Sequence, residues 1–530
     1  MKIRHSLLAM AMIASTVYAR EVTVTNDMVV THTSDLQGCD VTISNEEYAA
    51  SAGTLTIDAG NGTLRLSSLT MNVDYFTYFS SFDSDTFEIL QWLNQMSQLL
   101  VKQTRVEAGS VSIALTESGE TSKWTYFSLP FDAWISQVDA GDAGWMVRRY
   151  DSEVRASGKG SAWVNVKPDE MLHAHQGYIL TREHSDYHEQ KVELPDGWEN
   201  WTTEEWLEWV QEHQNDETST FEDIWTPIIF HAAETAHKQD IFATQDAVIQ
   251  LEMHPADMEI DANWNYVANP YPCNYQLRGI EEDVILTICH ESNYIAYSTA
   301  DDEDQMLAPL QPFFVQALYN VESLHLSQGA RTVERAFLPY DAPRRNAPRR
   351  SAAADRQVMN LLLSDGQRTD RLRLVDNPQA TTAYEINRDA SKMMSDRRDI
   401  PQLYAIDQGM QLAIDERPLD GCEIALGLQI GSDTEHTLHL EKADGRLTLL
   451  LTDRVTGQQI DLGKEDYHFT AMPGQLRSRF IVEIADPDAT RIIEVNAPAE
   501  DPQPCYDLMG RRCTKAQGLR VQGGMVLRPR

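Results

Sequence analysis

Two pairs of histidines are the residues of this chain whose spacing comes closest to that of a metal site. His173 and His175 stand two positions apart, so on a β-strand both rings would lie on the same face. His184 and His188 have the i, i+4 spacing of a helix face, with acidic residues close by. A zinc site needs further ligands, and neither pair has a clear third one. We therefore predict no metal site and interpret both pairs as polar loop residues.

Carboxylates are abundant but form no motif that indicates catalysis. The acidic run from Asp301 to Asp304 lacks the alternating ligands and central glycine of a calcium loop, and we interpret it as a solvated loop. The sequence contains no H-E-x-x-H, no G-x-S-x-G, no P-loop and no dinucleotide-binding glycine motif. Glycosidases use two carboxylates held about 5–10 Å apart, but 81 Asp and Glu residues give no basis for choosing a pair. We predict no catalytic residue and no cofactor.

A cluster of tryptophans is the best candidate for ligand stacking, in particular for carbohydrate. The candidate ligand-binding residues are Trp198, Trp201, Trp206, Trp209 and Trp225. The alternative, which we favour, is an inserted amphipathic helix. A capping box at Thr202 and Glu205 would begin that helix, and its tryptophans would pack on a sheet.

An internal duplication organises the middle of the chain. The pattern W-x-Y-x-x-x-P-aromatic occurs at 124–131 and again at 264–271. Each copy is followed by a similar apolar segment, 176–180 in the first half and 311–315 in the second. Two matches in the same order predict two related β-units. The Trp and Tyr of each copy share a strand face, which we expect to be core rather than a sugar-stacking platform.

The regions on either side of the duplication also have β patterns. Segments 53–57 and 62–66 fit either a hairpin or two adjacent rungs of a solenoid. An amphipathic helix is predicted next, with an apolar stripe formed by Ile89, Leu93, Met96 and Leu100. From 358 to about 485, short strands alternate with turns, which predicts an antiparallel sandwich. The Pro- and Arg-rich segment 341–356 is predicted to be an extended linker.

The last 26 residues form a separate pattern of short strands and glycine turns, with too few apolar residues for a core of their own. Cys505 and Cys513 flank the first predicted hairpin and could be bridged. We favour the interpretation that they are small apolar residues. The pattern Y-D-L-x-G-R-R, followed by a glycine-marked strand, resembles the C-terminal sorting signal of the type IX secretion pathway of Bacteroidetes-type bacteria. The residues that carry the resemblance are Tyr506, Leu508, Gly510, Arg511 and Arg512.

The β-region before this tail is similar to the penultimate domain of many secreted proteins with such tails, in segments 412–418, 449–453 and 467–471. The resemblance implies the secretion machinery as a partner, and a location at the outer cell surface or outside the cell. At the other end, Lys2 and Arg4 precede an apolar run that ends at Val17-Tyr18-Ala19, the pattern of a secretory signal peptide. A net charge of −37 argues against nucleic acid and anionic membranes as partners, and we expect no membrane insertion.

Together these features predict a mainly β chain: antiparallel β-sandwich domains in series, with two short inserted helices and a C-terminal β-hairpin tail. The predicted segments are a signal peptide (1–19), an N-terminal β region with one helix (20–120), the duplicated unit with its Trp-rich insertion (121–340), a linker (341–356), a β-sandwich (357–486), a second linker (487–504) and the sorting tail (505–530).

For function, we expect an acidic, adhesin-like protein that acts by binding or as a structural surface component and is not an enzyme. A surface glycan or a host protein would be its partner. The alternative is a carbohydrate-active protein, either a binding module or a hydrolase, that uses the tryptophan cluster.

Overall fold

The computed structural model describes residues 20–44, 53–74, 97–116, 124–141, 144–182, 227–234, 245–290, 293–302, 305–319, 321–334, 356–395, 397–443, 447–485, 505–507, 512–513, 520–522 and 525–527. The chain divides into two units, Met1–Ala485 and Asp486–Arg530. Strands hold 54% of the described residues and helical turns 6%, which confirms the prediction of a mainly β protein with several sheets in series.

The N-terminal strands form a parallel solenoid. They are β1 (Arg20–Val24), β2 (Asp27–Val30), β3 (Cys39–Ile43), β4 (Thr54–Ile57), β5 (Thr63–Asp74), β6 (Gln98–Val101) and β7 (Arg105–Thr116). Odd-numbered strands pair in one parallel sheet and even-numbered strands in a second, so the chain alternates between the two sheets. Inward side chains such as Ile43, Leu55 and Leu64 are completely buried.

This solenoid decides between the two alternatives for segments 53–57 and 62–66. β4 and β5 lie in different sheets on successive turns of the solenoid, which excludes the hairpin and confirms the adjacent rungs. Leu100, placed on the stripe of a predicted helix, lies in strand β6. Leu99 and Val101 belong to one hydrophobic cluster and Leu100 to another. Both faces of this strand are therefore buried, and the burial of Leu100 does not require a helix. The remaining stripe residues fall outside the described ranges.

In its described residues, the duplicated region has two sets of strands and one short α-helix. The first set is β8 (Thr125–Ser128), β9 (Ala133–Trp134), β10 (Trp145–Tyr150), β11 (Trp163–Asn165), β12 (Met171–Leu172), β13 (Gly177–Arg182) and β14 (Ile228–His231), with α1 (Ser152–Ser157) between β10 and β11. The second set is β15 (Ala247–Gln250), β16 (Trp264–Ala268), β17 (Asn274–Gln276), β18 (Ile285–His290), β19 (Asn293–Ser298), β20 (Met306–Leu307), β21 (Pro312–Gln316), β22 (Ser323–Leu326) and β23 (Arg331–Thr332).

The two sets have the same topology. The first sheet has the order β11-β10-β13-β8 and the second has the order β19-β18-β21-β16. The registers also correspond, since Tyr126 pairs with Ile179 in the first sheet and Tyr266 with Phe314 in the second. An outer antiparallel pair accompanies each sheet, β7 with β14 and β15 with β22.

Aromatic side chains join the two sheets. Tyr150 lies 5.1 Å from Phe314 between ring centroids, and Trp163 lies 5.4 Å from Tyr266. The Tyr126 and Tyr294 hydroxyls are 2.6 Å apart and hydrogen-bonded. Tyr266 and Phe314 are buried, so the core interpretation of the opening aromatics is confirmed at Tyr266.

The C-terminal strands form one extended sheet. They are β24 (Gln357–Ser364), β25 (Thr369–Asp376), β26 (Ala390–Ser391), β27 (Gln402–Asp407), β28 (Met410–Arg417), β29 (Glu423–Ile430), β30 (Glu435–Ala443), β31 (Thr448–Asp453), β32 (Gln458–Asp461), β33 (Tyr467–Thr470) and β34 (Gly474–Ala485). The sheet runs β32-β31-β34-β29-β27-β28-β25-β24-β30-β33, with β26 paired to β28. It is antiparallel except where β25 pairs with β28.

This sheet curls around its own core, which gives it a sandwich-like form. Strand β33, at one end of the sheet, packs on β34 near the other end, where the Phe469 and Phe480 rings lie 4.8 Å apart. Tyr467 of β33 donates a hydrogen bond of 2.7 Å to Asp453 of β31.

The duplicated region and the C-terminal sheet share a buried interface with many ionic contacts. Arg373 donates two hydrogen bonds to Asp302, of 2.7 and 2.8 Å, and Arg356 binds Asp301 and Glu416. The expectation of a solvated acidic loop was therefore wrong for Asp301 and Asp302, because arginines from the neighbouring sheet neutralise them. Burial alone would raise the pKa of Asp302, but the facing guanidinium groups hold it at about 2.

The described residues of the second unit form four short strands, β35 (Cys505–Asp507), β36 (Arg512–Cys513), β37 (Arg520–Gln522) and β38 (Met525–Leu527). They pair antiparallel in the order β36-β35-β37-β38. Tyr506 of the sorting pattern lies in β35 and Arg512 in β36. Leu508, Gly510 and Arg511 lie outside the described residues.

Candidate binding cleft

The residues singled out in the sequence do not assemble into a site in the described structure. All five clustered tryptophans and both His184 and His188 lie outside the described residues. His173 is exposed, with its Nδ1 3.7 Å from a carboxylate oxygen of Asp132. His175 occupies a turn with a φ of 64°. Within the described ranges, no group of His, Cys, Asp and Glu side chains is arranged to hold a metal ion.

A difference between the two repeats marks a candidate site instead. In the second repeat, two residues join β18 to β19. In the first repeat, the equivalent connection between β10 and β11 runs from 151 to 162 and contains α1. Two residues suffice to join antiparallel strands, so the longer connection is not needed to close the sheet. It forms one wall of a cleft.

Local contacts fix the position of α1. The Asp151 carboxylate caps the helix by accepting a hydrogen bond of 3.0 Å from the Val154 N–H. Gly158 ends the helix with a φ of 64°, which glycine adopts without strain. Arg155 then forms an ion pair of 2.8 Å with Asp261 of the second repeat, so the helix is held against that repeat.

The opposite wall is the segment that follows β15. The buried Asn265 side chain accepts a hydrogen bond of 2.7 Å from the Glu252 N–H and donates one of 2.9 Å to the Glu252 carbonyl. These two bonds fix the backbone of an exposed segment. The side chains of Glu252 and His254 project from it, 3.2 Å apart.

The cleft between these walls has a volume of about 510 Å³ and a polar lining. Asp151, Glu153 and Glu252 supply three carboxylates, against a single guanidinium from Arg149, which pairs with Asp151 at 3.2 Å. Tyr150 lies at the cleft, and burial raises its pKa to about 12, so its hydroxyl stays neutral. Ligand sites commonly have volumes of about 300–1,000 Å³, so the cleft can accept a small polar ligand.

Sequence reasoning missed this cleft, because its residues form no motif. One signal was available: the sequence distance from β10 to β11 in the first repeat exceeds that from β18 to β19 in the second. An insertion in one of two otherwise equivalent units indicates a feature that the fold itself does not need.

A second group of ionisable residues lies in the C-terminal sheet. Burial raises the pKa of Asp389 to about 7 and that of Asp415 to about 6. Shifted carboxylates of this kind often mark catalytic sites. The adjoining cavity, however, measures only about 10 Å³, which is about the room that one water molecule needs. Backbone N–H groups of Glu416 and Glu385 also bind Asp389, so we interpret this group as structural.

Comparisons with known proteins give no further assignment, since no family model, curated protein or solved structure matches the chain. In the part of the chain that the structure describes, no helix is both long and apolar enough to cross a bilayer.

Proposed function

We propose that this chain is an exported β-protein that acts by binding, at the outer cell surface or outside the cell, and that the cleft between its two repeats is the binding site. The observation that carries the proposal is the insertion at 151–162. It breaks the equivalence of two repeats of the same topology, and it forms a cleft with fixed walls on both sides.

The charge of the cleft favours a neutral or cationic ligand. Three carboxylates and one guanidinium line it, and the chain as a whole carries a charge of −37. An anionic ligand would be repelled at long range and at contact. We therefore infer that the cleft binds a basic side chain of a partner protein, with the lysine or arginine group between Glu153 and Glu252.

Titration with short peptides tests this assignment. Peptides with a central lysine or arginine should bind in isothermal titration calorimetry, and the same peptides with glutamate in that place should not. The double variant Glu153→Gln, Glu252→Gln should lower affinity at least about tenfold, because it removes two charges from the cleft. Glu322→Gln, an exposed change outside the cleft, is the matched control. Equal binding by the double variant would contradict the assignment, and binding of neutral glycans alone would favour the carbohydrate alternative.

Routing by the tail is a separate part of the proposal. It is supported by the resemblance of the tail to a sorting signal and by the assignment of the tail to a compact unit of its own. Truncation after Pro504 should abolish surface or extracellular display in a host that has the secretion pathway. Unchanged display of the truncated chain would refute this role, without bearing on the cleft.

A further inference from the structure

The register of the C-terminal strands brings two cysteines together. Cys505 begins β35 and Cys513 ends β36, and the two residues are direct partners across this antiparallel pair. Tyr506 and Arg512 are the next partners, so the alignment rests on two consecutive pairs.

Direct opposition satisfies the main geometric requirement of a disulfide. Opposed residues in antiparallel strands have Cα atoms about 4.5–5.5 Å apart. Disulfides join residues whose Cα atoms lie about 4.4–6.8 Å apart. A bond between Cys505 and Cys513 would therefore need no rearrangement of the paired backbone.

The other four cysteines lie in the first unit and are thiols rather than disulfides. Cys39 and Cys273 are buried, and burial raises the pKa of Cys273 to about 12, which suppresses its reactive thiolate. Cys289 and Cys422 are half-buried and lie on or next to strands of different sheets. The cysteines of the first unit thus show no disulfide, whereas the two in the second unit are direct backbone partners across a strand pair.

The described strands of the second unit are short. They are two or three residues long, and a single β-hairpin on its own is at best marginally stable in water. Small exported modules commonly compensate for a small core with disulfides.

We propose that Cys505 and Cys513 form an intrachain disulfide that locks the first hairpin of the tail. The bond forms by thiol–disulfide exchange with a disulfide oxidant, either a dithiol oxidase of the export compartment or glutathione disulfide. Two thiols and one oxidant disulfide give the protein disulfide and two oxidant thiols, and the two thiol protons pass to the departing sulfurs.

Peptide mapping of the folded chain tests the bond. Fully reduced protein is incubated with glutathione disulfide, remaining thiols are blocked with N-ethylmaleimide, and the protein is digested with trypsin without reductant. Cleavage after Arg491, Arg511, Arg512 and Lys515 separates the two cysteines, so the bond would appear as peptide 492–511 joined to peptide 513–515. Dithiothreitol should release the two peptides.

Kinetics separate a preorganised pair from chance proximity. The folded chain should form the linked peptide at least about tenfold faster than the same chain in guanidinium, because the paired strands hold the thiols together. Cys422→Ser should leave the linked peptide unchanged, and Cys505→Ser should replace it with a glutathione adduct on Cys513. Two blocked thiols, separate glutathione adducts in the unmutated chain, a link to Cys289 or Cys422, a disulfide-linked dimer, or an equal rate in guanidinium would each overturn the proposal.

Discussion

Lys392 and Asp370 form an ion pair that is completely removed from solvent, with both side chains at 0% exposure and an N–O distance of 2.7 Å. Asp370 also accepts hydrogen bonds from the Leu403 N–H and from Asn293 of the duplicated region. The carboxylate is therefore well satisfied only while the lysine is present. Removal of the lysine would leave a buried charge with no counter-ion.

We predict that Lys392→Met lowers the free energy of unfolding by about 3–5 kcal/mol, the usual cost of breaking a buried ion pair. Urea unfolding followed by circular dichroism measures the loss. Arg65→Met, which breaks an exposed pair with Glu107, is the matched control and should cost less than about 1 kcal/mol. A loss no greater than that of the control would show that the pair is not buried in solution.

Asp389 gives a prediction about pH. Burial raises the pKa of Asp389 to about 7, and the neighbouring Asp415 and Glu416 charges add to the rise. The folded state therefore binds this proton more tightly than the unfolded state, whose pKa is near 3.8. Stability from this group is full below pH 3.8 and is lost as the pH rises through about 7.

We expect Asp389→Asn to flatten the fall in stability between pH 5 and pH 8, a fall that one such group can make as steep as about 1.4 kcal/mol per pH unit. Urea midpoints at several pH values test this, with the exposed Asp27→Asn as control. If both variants keep the pH dependence of the unmutated chain, Asp389 is not the titrating group.

At the scale of elements, the two repeats approach each other closely because β13 contains a glycine. A Cβ atom at Gly177 would clash with the ring of Tyr266, which belongs to β16 of the second repeat. The aromatic contacts between the sheets thus depend on the absence of a side chain at this position.

Gly177→Ala should destabilise the chain by roughly 1–3 kcal/mol, the usual cost of overpacking a core. Thermal unfolding measures this, and Tyr fluorescence reports the disturbed aromatic cluster. Gly329→Ala is the matched control, because a Cβ there would meet only Ser327 Oγ at 3.6 Å. Equal melting temperatures for the two variants would mean that the two sheets can move apart at Gly177 without loss of stability.

At the scale of the whole molecule, the interface between the duplicated region and the C-terminal sheet should make residues 20–485 unfold together. An apolar cluster that contains Ile285 and Val375 contributes to that interface, as does the Arg373–Asp302 ion pair. Arg373 is 2% exposed, so its loss would leave Asp302 poorly compensated.

We predict one urea transition for the unmutated chain and two for Arg373→Met, seen by hydrogen exchange of peptides from each region. The exposed Arg454→Met should keep a single transition. Two transitions in the unmutated chain would show that the interface contributes little to cooperativity.

Much of the architecture could be predicted from the sequence, but its pairing could not. Alternation of apolar residues identified β-strands, and the repeated W-x-Y motif located two related sheets whose registers correspond. The same alternation is compatible with parallel and antiparallel pairing, because side chains alternate with period two in both. The sequence therefore left a hairpin and a solenoid both open for β4 and β5, and the strand pairing of the folded chain decided for the solenoid. The acidic run at Asp301 was misinterpreted because its arginine partners lie more than fifty residues away in the sequence.

Local properties can be read from the amino-acid sequence: which segments are extended, that the middle of the chain is duplicated, and that the chain is strongly acidic. Only the folded chain shows which strands are partners, which charges are buried, and that an insertion in one repeat faces the other across a cleft. This division follows because strand periodicity and charge are properties of neighbouring residues. Strand pairing, burial and cavities arise from contacts between residues far apart in the chain. The local patterns of a single sequence do not specify those contacts.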